Sequence, residues 1–353
     1  MKFHVVSLPH THTLREFSSC AFTQKVIRFC DMMKKLGHEV ILYSGEKNEA
    51  ACDEHVVCVS EAHRKLMLGK GHYTEADWGN PLWQVYNEKV IAEMEGRISK
   101  TDFICLIGGY SQKPIADHFK NHISVEFGIG YAGVFADFKV FESYAWMHTV
   151  YGAQSNNNAS GIDGKWLDGV IPNQFEEKPD YQLSTAKRNY ALYVGRLIDR
   201  KGYRIAQDIC EAKGIELILA GPGKVEGYGT HVGEVGPEER TRLMSGAIAL
   251  MVPTQYIEPF GTVHIEAMAC GTPIISTDWG VFTETIENGF NGYRCRTFQE
   301  FWDALEYAPL LNHEKIREYA ISKFSMDVVA KQYEEYFERL SILWNGGWYS
   351  LRS

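Results

Sequence analysis

The sequence has no apolar run approaching the ~18–20 residues of a membrane span, and it has no excess of positive charge. Its 36 Lys and Arg face 45 Asp and Glu, a formal net charge of −9. The deficit runs through both halves, 17 basic against 20 acidic residues in 1–173 and 19 against 25 in 174–353. That balance excludes a generic polyanion binder and disfavours nucleic acid as a partner. Cysteine is sparse and scattered: Cys20, Cys30, Cys52, Cys58, Cys105, Cys210, Cys270 and Cys295 form no Cys-x-x-Cys. Most sit in apolar stretches as small core residues, which points to a reducing cytoplasm. There is no Asp-x-Asp, no His-Glu-x-x-His and no clustered Cys/His set, so no metal is expected. The first residues, Met1-Lys2-Phe3-His4-Val5-Val6, read as a strand and not as a secretory leader. There is no repeat of fixed period and no low-complexity segment.

What is present is an alternation of short apolar runs with helical patterns, over a length that suits two domains. Residues 3–8, 40–43, 103–107 and 123–127 read as buried strands, with a helix from about residue 20 that ends before Gly37. The pattern blurs from 142 to 172, and the polar run Glu176-Glu177-Lys178-Pro179-Asp180 reads as a linker. It then restarts: strand 190–194, helix 203–212, strand 216–220, strand 247–252, helix 261–270, strand 273–276. This is an α/β chain with parallel sheets. The expected division is a Rossmann-like domain at 1–173, a second at 174–325, and a last segment at 326–353 whose helix braces the first domain. Ligands of such sheets bind at the carboxyl ends of the strands, in a cleft between the domains.

Three segments carry chemistry. In Glu258-Pro259-Phe260-Gly261-Thr262-Val263-His264-Ile265-Glu266, two glutamates stand eight positions apart. Pro259 and Gly261 break the chain before an apolar helix, so Gly261, Thr262 and Val263 offer free amides suited to an anion. Glu266 lies where a carboxylate can accept bonds from neighbouring sugar hydroxyls. In Gly195-Arg196-Leu197-Ile198-Asp199-Arg200-Lys201-Gly202, Arg196 and Lys201 follow the first strand of the second domain. Fixed cations there suit a diphosphate leaving group. Leu219-Ala220-Gly221-Pro222-Gly223 is a strand-end glycine turn where a flat base or a sugar can approach the backbone.

Together these segments resemble the retaining glycosyltransferases of family 4, which have the GT-B fold of two Rossmann-like domains facing each other across a cleft. The resemblance covers about 190–295 and includes Gly233, Glu284, Asn288, Gly289 and Gly292. It implies transfer of a sugar, a hexose by expectation, from a nucleotide diphosphate sugar, foremost a UDP-sugar, to a hydroxyl acceptor with retention and without an essential metal or other cofactor. It also implies roles. Arg196 and Lys201 hold the diphosphate, assisted by the Gly261 and Thr262 amides. Glu258 contacts the transferred sugar and Glu266 the ribose.

The first domain resembles the family only in its pattern. Its loop Pro9-His10-Thr11-His12-Thr13-Leu14 lacks the family's glycines, and the first-domain histidine of the family has no clear counterpart. His10, His12, Glu126 and His148 stand as candidates for the acceptor side. Residues 128–133 spell Gly-x-Gly-x-x-Gly, but no helix pattern and no acid near 153 follow, so a nicotinamide site is not expected. His118 and His122 are expected on one helix face, and Trp78, Trp83 and Trp146 as core or as an acceptor platform. Rival readings are an epimerase or phosphorylase on the same fold, or a non-catalytic nucleotide-sugar binder. A modified DNA base is kept as an alternative acceptor.

Overall fold

The structure is a computed structural model that describes residues 1–18, 20–68, 79–156, 158–176, 181, 183 and 189–345. Trp78 and the linker residues 177–180 lie outside the described residues. The chain divides into two units, one of Met1–Glu142, Asn157–Ile171 and Ala330–Ser353, the other of Ser143–Asn156 and Pro172–Val329. Among the described residues no helix is long and apolar enough to cross a membrane.

The first unit is built on seven parallel strands: β1 Lys2–Val6, β2 Glu39–Gly45, β3 Glu54–Val59, β4 Phe103–Leu106, β5 Ile123–Ile129, β6 Phe138–Phe141 and β7 Gly169–Val170. Their order is β3-β2-β1-β4-β5-β6-β7. Central strands read as unbroken apolar runs because helices cover both faces. Helix Ala21–Lys35 buries Val26, Ile27, Phe29, Cys30 and Met33 on one side. Helix Leu82–Glu95 sends Tyr86, Val90 and Met94 into a core shared with Val6, Ile41 and Tyr43. Polar exceptions are paired: the His4 ring meets the Tyr43 hydroxyl at 2.9 Å and the Asp102 carboxylate at 3.1 Å. The last helix, Met326–Ser341, sets Phe337 against Phe3 and Phe103 at 4.7 and 4.9 Å between ring centroids, and Tyr333 against Phe29 at 5.2 Å. Burial of each such ring contributes about 1.5–3 kcal/mol.

The second unit has six parallel strands: β8 Tyr190–Val194, β9 Glu216–Ala220, β10 Thr230–Gly233, β11 Ala247–Val252, β12 Ile274–Thr277 and β13 Gly292–Cys295. Their order is β10-β9-β8-β11-β12-β13. Both units are therefore Rossmann-like. The chain runs outward one way from β8 and the other way from β11, and the point between them is where ligands of doubly wound sheets sit.

One expectation is corrected. The helix Lys113–His118 ends at a turn through Phe119, so His122 does not share a helix face with His118, which pairs instead with Glu95 at 2.7 Å. The glycine-rich segment 128–133 opens no helix. Glu126 gathers it by accepting from the Phe135 and Ala136 amides and the Tyr131 hydroxyl at 2.7, 2.8 and 3.0 Å.

The turns after β8 and β9 need glycine for space as well as for conformation. Gly202 has φ +77°, and a Cβ there would lie 1.9 Å from the Pro253 carbonyl oxygen. Gly221 would meet the Gly195 oxygen at 2.0 Å. Gly214 has φ +69° and open space around it. Gly214→Ala is expected to cost only the left-handed penalty of about 1–2 kcal/mol. Gly202→Ala should exceed it clearly, because backbone must also move. Denaturant unfolding of the two variants checks the order, and equal losses would contradict the packing described.

Candidate active site

At the carboxyl end of β8 the chain makes a tight 3-10 turn, Asp199–Lys201, closed by the Gly202 amide on the Asp199 carbonyl at 2.8 Å. That turn presents Lys201. The neighbouring strand, β11, ends at Val252 and leads into the loop that carries Tyr256 and Glu258. The two strand ends meet where the Lys201 ammonium lies 2.6 Å from Oε2 of Glu258. The Tyr256 hydroxyl donates to the same oxygen at 2.8 Å. The Tyr256 ring takes the Lys201 ammonium over its face at 5.0 Å and the Arg200 guanidinium at 4.5 Å. Its backbone carbonyl is held by the Trp279 indole at 3.2 Å. Burial and the Glu258 charge both raise the Tyr256 and Tyr193 phenols above their ordinary range, so each stays a hydrogen-bond donor.

A pocket of about 300 Å³, its open mouth included, is lined by Tyr193, Lys201, Thr254, Glu258, Gly261 and Val263 among others. Gly261 has φ +71°, and a Cβ there would press on the Glu258 side chain at 3.2 Å. Helix Val263–Ala269 follows, two residues shorter at its start than the sequence pattern suggests, with Thr262 at the N-cap position and no side-chain capping bond. The N–H groups of Gly261, Thr262 and Val263 donate to no backbone acceptor among the described residues, and all three residues are half-buried. The Thr262 side chain accepts from Asn173 at 3.0 Å. Gly280 lies against the Glu258 backbone, and the Val281 amide donates to the Glu258 carbonyl at 3.2 Å.

Of the expected donor-side residues, the structure thus brings Lys201, Glu258, Gly261 and Val263 around one pocket, with Thr262 between the last two. Arg196 is exposed on the turn after Gly195, and its charge reaches the Tyr193 and Tyr256 phenols. Gly195 and Gly221 pack directly on each other. Glu266 is buried on helix Val263–Ala269, its carboxylate held by Arg240. Tyr256 and Arg240 escape the sequence reading. Tyr256 had a signal, an aromatic two residues from a motif glutamate; Arg240 had none.

The first unit uses its own candidates internally. His12 Nε2 lies 2.6 Å from a Glu61 carboxylate that also binds Arg64. His10 is buried, its ring tilted against Trp83 at 6.1 Å between centroids, with Nε2 3.7 Å from Cys20 Sγ. Glu126 is spent on the loop described above. His148 is exposed on helix Tyr144–Gln154, which groups with the second unit, and its ring lies 6.1 Å from that of Tyr144 and edge-on to that of Tyr151. The N-terminus of that helix is tied to the second unit by the Glu284 carboxylate on the Tyr144 and Ala145 amides and by the Ser143 hydroxyl on the Pro259 carbonyl at 2.7 Å.

With this geometry in view, the comparisons fall into place. Residues 174–323, the segment that carries the pocket, match the family described as glycosyl transferases group 1. The chain is 28% identical over 192 residues to an uncharacterized glycosyltransferase of Methanocaldococcus jannaschii, covering 46% of this chain and 48% of that protein. It spans about half the length of the curated relatives it matches. Among solved structures, AviGT4, a glycosyltransferase involved in avilamycin A biosynthesis, superposes with a TM-score of 0.66 at 20% identity, over 97% of this chain and 98% of that one. Anabaena HepE, solved with UDP-glucose, gives a TM-score of 0.62 at 17% identity over 96% of this chain and 100% of that one. At these identities the likeness establishes the fold, two Rossmann-like units of the GT-B kind.

One buried side chain next to the motif has a readable pH signature. The His264 ring is fully buried between Phe260 and Phe282, and its Nδ1–H donates to the Gly261 carbonyl. Burial holds its pKa down to about 4, from 6.5, and does the same to His10, where the Arg64 charge adds to it. The unfolded chain then binds more protons than the folded one between those values. Stability is full above about pH 6.5 and is lost as pH falls towards 4. The thermal midpoint of His264→Asn, which keeps a donor for Gly261 and cannot titrate, should fall less than wild type between pH 7 and 4.5. Parallel curves would refute the assignment.

Proposed function

We propose that this chain is a retaining glycosyltransferase that moves a hexose from a nucleotide diphosphate sugar, a UDP-sugar first among them, to a hydroxyl acceptor. The observation that carries the reading is the contact of Lys201 with Glu258 beside the three free amides of 261–263, on a segment matching glycosyl transferases group 1. A cation and open amides suit an anion, and a carboxylate beside them suits sugar hydroxyls. HepE, a protein of the same fold, was solved with UDP-glucose, which supports UDP as the first donor to try.

In the proposed reaction the diphosphate takes Lys201 from Glu258, with Arg196 on the exposed turn adding charge. Glu258 stays in place on the Tyr256 hydroxyl and accepts from the sugar. The bond from the anomeric carbon to the β-phosphate oxygen breaks, and that electron pair leaves with the nucleoside diphosphate. The acceptor oxygen bonds to the anomeric carbon on the same face and passes its proton to the departing phosphate oxygen. Every group this step asks of the protein is a charge stabiliser, and no metal is invoked. The eight free cysteines, seven of them buried, suit a reducing compartment such as the cytoplasm.

A thermal-shift panel of UDP, ADP, GDP and their sugars identifies the donor. Lys201→Ala should then lower transfer by about 10²–10³, the scale of one preorganised charge-stabilising group; near wild-type turnover would sink the reading. Glu258→Gln should separate binding from chemistry. With its competitor for Lys201 neutral, the variant binds the free nucleoside diphosphate at least as tightly as wild type, while transfer falls by about 10² or more. Interconversion of donor sugars without acceptor would favour an epimerase, and sugar release dependent on inorganic phosphate a phosphorylase. Binding with neither transfer nor hydrolysis would favour a non-catalytic binder.

A further inference from the structure

Glu266 is only 3% exposed, yet it is charged in company: one guanidinium holds both of its oxygens. Arg240 Nε lies 3.0 Å from Oε2, and its second terminal nitrogen lies 3.2 Å from Oε1. This is the paired fork geometry that only arginine offers a carboxylate. The partners are 26 residues apart, on helix Pro237–Gly246 and helix Val263–Ala269. Apolar packing fixes the distance between the helices. Leu243 and Met244, one turn beyond Arg240, share a core with Ile265, Ala267 and Met268. The Thr272 hydroxyl on the Met244 carbonyl at 2.6 Å ties the far end. The Tyr181 phenol also interacts with the arginine.

A carboxylate has about four acceptor positions on its two oxygens. The fork occupies one on each oxygen and locks the plane of the group. What remains is one free position per oxygen, in a fixed plane and at a fixed separation, which matches two adjacent hydroxyls. We propose that Arg240 is a positioning residue that sets Glu266 to receive the ribose diol of the donor, and so makes the site select ribonucleotides over 2′-deoxyribonucleotides. This rests on the donor-site reading above and adds the residue that fixes its sugar-ring preference. A lysine at 240 keeps the charge without the fork, and a methionine keeps the length without the charge.

The test measures affinities of UDP, ADP and GDP and of their 2′-deoxy counterparts by calorimetry, for wild type, Arg240→Lys and Arg240→Met. Wild type should favour the ribo form of its nucleotide by about tenfold or more, the scale of a lost hydrogen bond to a charged group. Arg240→Met should reduce that preference below about threefold while changing 2′-deoxy affinity little, with Arg240→Lys between them. A merely structural role would weaken both forms alike, and that result overturns the proposal, as does an undiminished preference in Arg240→Met. If the methionine variant does not fold, an undiminished preference in the lysine variant overturns it. Wild type binding both forms equally also overturns it and leaves the donor site standing. Wild type binding none of the six nucleotides removes the donor-site reading itself.

Discussion

The ion pair between Lys201 and Glu258 is the contact on which the rest of the second unit's site depends. It joins the ends of β8 and β11, the two strands from which the sheet runs in opposite directions. Taking both charges partly out of water costs more than a surface pair would. The structure offsets this with the Tyr256 hydroxyl on the carboxylate and its ring under the ammonium.

The two units treat their charges differently. In the second, Glu258 is paired with a single lysine ammonium, and Glu266 with an arginine that reaches both of its oxygens. In the first, the candidate side chains serve their own loops. Glu126 accepts three bonds from the segment that follows it, and Glu61 gathers His12, Arg64 and Lys65. Lys25 and Glu142 make a buried pair at 2.6 Å, and the same ammonium caps the Gly128 carbonyl. Such side chains shape the loops of their own unit.

Much of the fold was legible because the central strands of both sheets are buried on two faces, which leaves unbroken apolar runs such as 190–194, 216–220 and 247–252. The edge strands were not. β10 is largely exposed and β7 is two residues long, so neither leaves such a run, and the run Val56-Val57-Cys58-Val59 of β3 is incompletely covered, with Val57 exposed. The residues that meet at the pocket, Lys201, Glu258, Gly261 and Val263, were legible as residue types near glycine turns. Arg240 and Tyr256 were not, because their meaning lies in pairing across the fold. The segment 143–156 was blurred for a physical reason: its helix buries only Val150 among the described residues and is held to the second unit mainly by caps.

The last helix has a bearing on biogenesis. The first unit takes its final aromatic layer, Tyr333, Tyr336 and Phe337, from residues that leave the ribosome after the whole second unit. Chains generally fold domain by domain as they emerge, but here the earlier-made unit is finished last. Until then Phe3, Phe29 and Phe103 lack the rings that cover them, so a nascent chain carries a sticky aromatic surface throughout synthesis of the second unit. The second unit, contiguous apart from 143–156, is under no such delay.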